Sequence, residues 1–198
     1  MTLNEKALVK LMKAAYKGGG VKVYRTERDV LCLCGPTWAC AMLWKYVPGP
    51  VLGLIAGWCH GLPEKGQGWW CMDAYGEQPE PVPDMPEPLA ALQRHHAQME
   101  SGLFALDFVC MGYRAVQCQG MRIMWFEVDG ITMLGRLASF GGDIAGGPDA
   151  EPWGRWYDPE TGTVIFLAEV DRVRPDLTDK LSEIDYRKQY RGDNSAEA

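Results

Sequence analysis

The chain has 198 residues, is 47% hydrophobic and carries a formal net charge of −6: enough apolar content to fill a core, and the wrong sign for general affinity toward nucleic acid. Its longest apolar stretch, 47–58, is interrupted by Pro48, Gly49, Pro50, Gly53 and Gly57 and falls short of the roughly 20 residues a membrane span needs. Lys6, Lys10, Lys13 and Lys17 recur through the opening segment, where a signal peptide would need an unbroken apolar region, so a cytoplasmic setting is expected.

Thr2 and Glu5 form a T-x-x-E capping box, and Leu8, Leu11, Met12 and Ala15 then recur at i, i+3, i+4 and i+7, the stripe of an amphipathic helix. Gly18, Gly19 and Gly20 end it. The four lysines fall on the opposite face, where solvent explains them as well as an acidic partner would. Three short β-like runs follow at 21–25, 30–34 and 38–44, separated by polar residues and by Gly35-Pro36, turn chemistry that fits an antiparallel meander. In the third run Trp38, Cys40, Met42 and Trp44 alternate with Ala39, Ala41 and Leu43, which gives one bulky and one small face. Pro48-Gly49-Pro50 opens a second helix with Val51, Ile55, Trp58 and Cys59 on its apolar side, and Gly61-Leu62-Pro63 ends it.

Residues 1–78 thus read as an α-β-β-β-α module. The stretch 79–88 mixes five prolines with acidic residues, a composition suited to an extended connector. A second module, 89–175, is expected to begin with a helix over 88–99 bearing Leu89, Leu92, His96 and Met99, followed by strands at 103–111, 113–118, 121–128 and 131–137. Asp129-Gly130 supplies a strong hairpin signal between the last two. Another hairpin joins 156–157 to 163–168. A polar tail, 176–198, contains at most one short helix through Leu181 and Ile184. These patterns predict an α+β protein with two antiparallel sheet layers, each packed by helices.

Seven cysteines stand mostly inside apolar runs, which favours reduced, unliganded thiols over disulfides or a metal centre. No C-x₂₋₄-C knuckle is present, and adjacent Cys59 and His60 project about 100° apart on a helix, so they cannot serve as nucleophile and base to one another. The phosphate-binding, dinucleotide-binding and serine-hydrolase signatures G-x-x-x-x-G-K-[ST], G-x-G-x-x-G and G-x-S-x-G do not occur. No enzymatic activity and no cofactor is expected, although a pair of carboxylates brought together by the fold would escape this reading.

Recognition is a better expectation. The segment 139–148 holds Gly141, Gly142, Gly146 and Gly147, whose backbone N–H groups could approach an anion, and just beyond stand Trp153, Arg155, Trp156 and Tyr157. A guanidinium among aromatic rings suits a flat, charged ligand. Trp69-Trp70, after Gly66 and Gly68, forms a second candidate of the same kind.

The opening TLNEKALVKLMKAAYKGGG, the strand TWACAMLW and the helix entry KYVPGPVLGLIAGWCHGLP resemble small, largely uncharacterised accessory proteins of phages and prophages of Gram-positive anaerobes. The resemblance covers residues 1–63. It implies a viral accessory role in the cytosol of a bacterial host, where such proteins block defences by sequestering a nucleotide-derived signal or masking a protein. The expected partners are therefore a small nucleotide-like ligand, such as a cyclic nucleotide or ADP-ribose derivative, or else a host protein, with self-association left open and neither nucleic acid nor membrane as a target.

Overall fold

A computed structural model of the chain describes residues 3–73, 80–82, 84, 101–118, 120–145, 152–171, 173 and 175–186. The expected helix over 88–99, together with His95 and His96, lies outside the described residues.

Helix α1 spans Glu5–Gly18, and its N-cap is Asn4, whose side-chain oxygen accepts from the Ala7 N–H at 3.2 Å. The expected cap Thr2 lies outside the described residues. Ala7, Leu8, Leu11, Met12 and Ala15 are buried, the stripe that the spacing predicts. Strands β1 (Val21–Arg25), β2 (Val30–Cys34) and β3 (Trp38–Leu43) form the antiparallel meander. Their alternation sends Trp38, Cys40 and Met42 toward the helices, while Ala39 and Ala41 line the opposite face. A 3-10 turn leads to α2 (Gly49–Cys59), which has proline in its first turn and buries Val51, Ile55 and Cys59. Strand β4 (Gln67–Cys71) returns beside β1, and the two-residue β5 (Glu80–Pro81) pairs with it.

In the second half, β6 (Ser101–Cys110), β7 (Tyr113–Gln117) and β8 (Ile123–Glu127) form a second meander. The expected Asp129-Gly130 hairpin and the strand at 131–137 are absent. In their place stand helix α3 (Val128–Leu134) and a 3-10 segment (Gly135–Phe140). Ile131, Met133 and Leu134 are buried, and α3 docks on α1, where the Asn4 N–H donates to the Met133 carbonyl at 3.0 Å and Lys10 pairs with Asp129 at 2.7 Å. Burial of three large side chains outweighs the local preference of an Asp-Gly pair.

Strands β9 (Gly142–Ala145), β10 (Trp153–Asp158) and β11 (Thr163–Ala168) follow, the last two forming the expected hairpin. Helix α4 (Pro175–Ser182) then packs on the other side of β6–β8 from α1, α2 and α3, through Leu181 and a Trp125 Nε1–H bond to Thr178 Oγ1 at 2.9 Å. The short helix expected near Leu181 thus spans Pro175–Ser182 and ends before Ile184.

Among the described residues, eleven strands form one antiparallel sheet in the order β5-β4-β1-β2-β3-β11-β10-β9-β6-β7-β8. The architecture is α+β as expected, but the two halves share that sheet through the β3–β11 ladder, Val164 to Leu167 lying opposite Ala41 to Trp38. A sequence shows which segments are strands and not which distant strands pair, so this join was not legible.

Candidate functional site

Strand alternation divides the expected cluster on β10. Trp156 turns to the helix side, where it is 2% exposed and meets Phe126 edge-on at 5.7 Å. Two glycines accommodate its ring: a Cβ on Gly154 would lie 2.6 Å from the ring, and one on Gly142 would lie 2.7 Å from Nε1. Gly142 therefore serves packing, as the first residue of β9, and Gly141 makes the turn into that strand at φ +75°. In this part the glycine segment is a strand, paired with β10 and β6. Gly146 and Gly147 lie outside the described residues.

Trp153, Arg155 and Tyr157 occupy the opposite face in a row. Trp153 is half-buried against Ala145 and Phe166, Arg155 stands opposite Asp143 of β9, and Tyr157 is 49% exposed. Trp69 and Trp70 lie on β4, five strands away from β10, about 24 Å at the usual strand spacing. Trp70 donates from Nε1 to the Gly19 carbonyl at 3.3 Å, and Trp69 packs on the helix-side core. The two aromatic candidates are separate places.

A different site emerges where the β2–β3 turn, the ends of β7 and β8, and the segments flanking the β10–β11 hairpin converge. A cleft of about 610 Å³ is lined there by Thr37, Tyr113, Arg122, Glu127, Glu169 and Asp171, with Pro152 and Val170. Its walls are fixed by backbone bonds from Ala168 N–H to the Thr37 carbonyl at 2.9 Å and from Val170 N–H to the Trp125 carbonyl at 2.8 Å. Tyr113 and Glu127 are cross-strand neighbours on β7 and β8, so both side chains stand on one face. The Thr37 hydroxyl donates to Glu127 Oε2 at 3.0 Å, and Arg122 Nη2 pairs with Glu169 Oε2 at 2.6 Å. A hollow of about 380 Å³ shares Tyr113 and Glu127 and adds Met111, Gly112, Val128 and Asp129.

The lining combines three carboxylates with one guanidinium, which is already engaged by Glu169. Ionised carboxylates are acceptors only, so the cleft offers acceptors to whatever enters it. Burial pushes the Glu169 carboxyl above its usual range and Asp171 pushes the same way, while Arg122 opposes them. The Glu169 side chain is 16% exposed, close enough to solvent to be reached and dry enough to strengthen a charge it meets. No spacing signal announces this place, since Thr37 and Glu127 are 90 positions apart.

None of the seven cysteines forms a disulfide. Cys32 and Cys34 share the face opposite α1 and α2, and burial pushes the Cys32 thiol up to about 12. Among the described residues no group of three or more His, Cys, Asp or Glu side chains could hold a metal ion, and no helix is long and apolar enough to cross a membrane.

No protein-family model matches the chain, and no curated protein sequence does. Among solved structures, the DNA polymerase sliding clamp from Bacillus subtilis is similar over 89% of this chain at 9% identity, with a TM-score of 0.32. The chain spans 66% of that clamp's length. A likeness at this level carries no argument about function.

Proposed function

We propose that this chain is a non-enzymatic binding protein that sequesters a small, donor-rich ligand in the cleft between Thr37, Tyr113, Glu127 and Glu169. The observation that carries the reading is the convergence of Glu127, Glu169 and Asp171 on one cleft whose single guanidinium is already paired. Its volume is in the range of small-molecule sites. Excess negative charge disfavours a phosphate and favours an amine or guanidinium, which would meet the carboxylates in charge-assisted hydrogen bonds, with Tyr113 in the same lining as an aromatic neighbour for an apolar or cationic portion.

The ligand class therefore differs from the anionic, nucleotide-derived one that the sequence suggests. A nucleotide-like ligand is kept as a second reading because Trp153, Arg155 and Tyr157 face one way in a row on β10. A thermal-shift panel separates the two. Agmatine and spermidine should raise the melting temperature of the wild-type chain by mass action and should fail to do so in Glu127→Gln/Glu169→Gln. A rise caused only by a cyclic dinucleotide or ADP-ribose, and lost in Arg155→Ala, would replace the first reading with the second.

A further inference from the structure

Cys59, the last residue of α2, and Cys71, the last residue of β4, bring their Sγ atoms to 2.8 Å, about 0.8 Å longer than a disulfide bond. The chain between them leaves the helix through His60 in the left-handed conformation, at φ 54°. The two sulfurs are held in a firm corner. Trp58 stacks on Tyr16 of α1 at 4.4 Å with the rings 2° from parallel, and the Asp73 N–H donates to the Tyr16 carbonyl at 2.9 Å, so both ends of the pair are tied to the same helix. Access is unequal: Cys59 is 8% exposed and Cys71 1%.

We propose that Cys59 and Cys71 are a redox site that hydrogen peroxide or a comparable small peroxide converts into a disulfide joining α2 to β4. The more accessible Cys59 acts first. Its thiolate attacks one peroxide oxygen, forming a sulfenic acid and releasing hydroxide. The Cys71 sulfur then attacks the sulfenic sulfur, the S–S bond forms, and the sulfenic oxygen leaves as water. Overall two thiols lose two electrons and two protons, and one peroxide becomes two waters. The roles agree with the electrostatics, since the hydrogen bond from Cys71 lowers the Cys59 thiol below its ordinary value, whereas that bond and burial raise Cys71. Cys32 and Cys40 are poorer candidates: burial pushes both strongly upward, and a thiol kept protonated is a weak nucleophile. This site is separate from the carboxylate-lined cleft and does not depend on how that cleft is used.

The test uses the full-length reduced chain. It is exposed to a small excess of hydrogen peroxide, blocked with iodoacetamide under denaturing conditions, and mapped by mass spectrometry. The expected product is a single species lighter by two hydrogens before blocking, with the Cys59 and Cys71 peptides cross-linked. Its melting temperature should rise on the order of 5 °C, since a short loop is closed across a domain of this size, and dithiothreitol should reverse the rise. Cys59→Ser should abolish the cross-link. Full alkylation of both cysteines after peroxide, a cross-link between other thiols, or conversion of Cys59 to a sulfinic acid with no cross-link would each overturn the proposal.

Discussion

At the scale of single residues, Trp156 and Glu169 show how one composition serves two purposes. The Trp156 ring fills the space left by Gly154 and Gly142 and abuts Phe126, so Trp156→Ala should cost about 3–5 kcal/mol of stability. Gly154→Ala should cost about 1–3 kcal/mol, because a new methyl would meet the same ring. Urea denaturation followed by circular dichroism measures both. A loss well under 1 kcal/mol for Trp156→Ala would return the ring to the surface. Glu169 behaves differently because its carboxyl is raised by burial. The native state then holds the proton to a higher pH than the unfolded chain does, so stability falls as pH rises from the ordinary carboxylate range through the raised value. Glu169→Gln should flatten that part of the stability–pH curve, and an unchanged curve would assign the slope to other groups.

At the scale of elements, α3 shows what sequence patterns convey and what they leave out. Asp129-Gly130 resembles a hairpin turn, but Asp129 sits in the first turn of a helix and Gly130 allows that helix to approach β11, where a Cβ would lie 3.0 Å from Leu167 Cδ2. The period of α1, the first meander, α2 and the β10–β11 hairpin was legible because each buries side chains at its own regular spacing. α3 is shorter than two full turns and owes its conformation to α1, more than a hundred residues earlier, so no local window could contain the reason. The cleft was hidden for the same cause: Thr37, Glu127 and Glu169 are separated in the chain and look individually like solvated polar residues. The α1–α3 contact predicts a contrast. Met133→Ala should cost about 2–5 kcal/mol, being fully buried at that interface, while Lys10→Ala should cost under about 1 kcal/mol despite its bond to Asp129, because both charges face solvent. Comparable losses from the two would mean that the interface is held by charge.

At the scale of the whole molecule, the β3–β11 ladder makes the two halves one sheet. An isolated fragment of residues 1–84 loses the partner of β3 as well as the α3 cover of α1, and it should show neither a cooperative thermal transition nor the far-ultraviolet signature of the intact sheet. A fragment that melts cooperatively would establish the first half as an independent unit. The same join assembles the cleft, since Thr37 belongs to the first half while Tyr113, Glu127 and Glu169 belong to the second. The most direct measurement is therefore a calorimetric titration of agmatine, at low ionic strength, into the wild-type chain and into Glu127→Gln/Glu169→Gln. Each charge-assisted bond contributes about 1.5–3 kcal/mol, so binding to the wild-type chain should weaken at least about tenfold in the double variant; equal affinity in the two proteins, or no binding heat in the wild type, would contradict a carboxylate-lined recognition cleft.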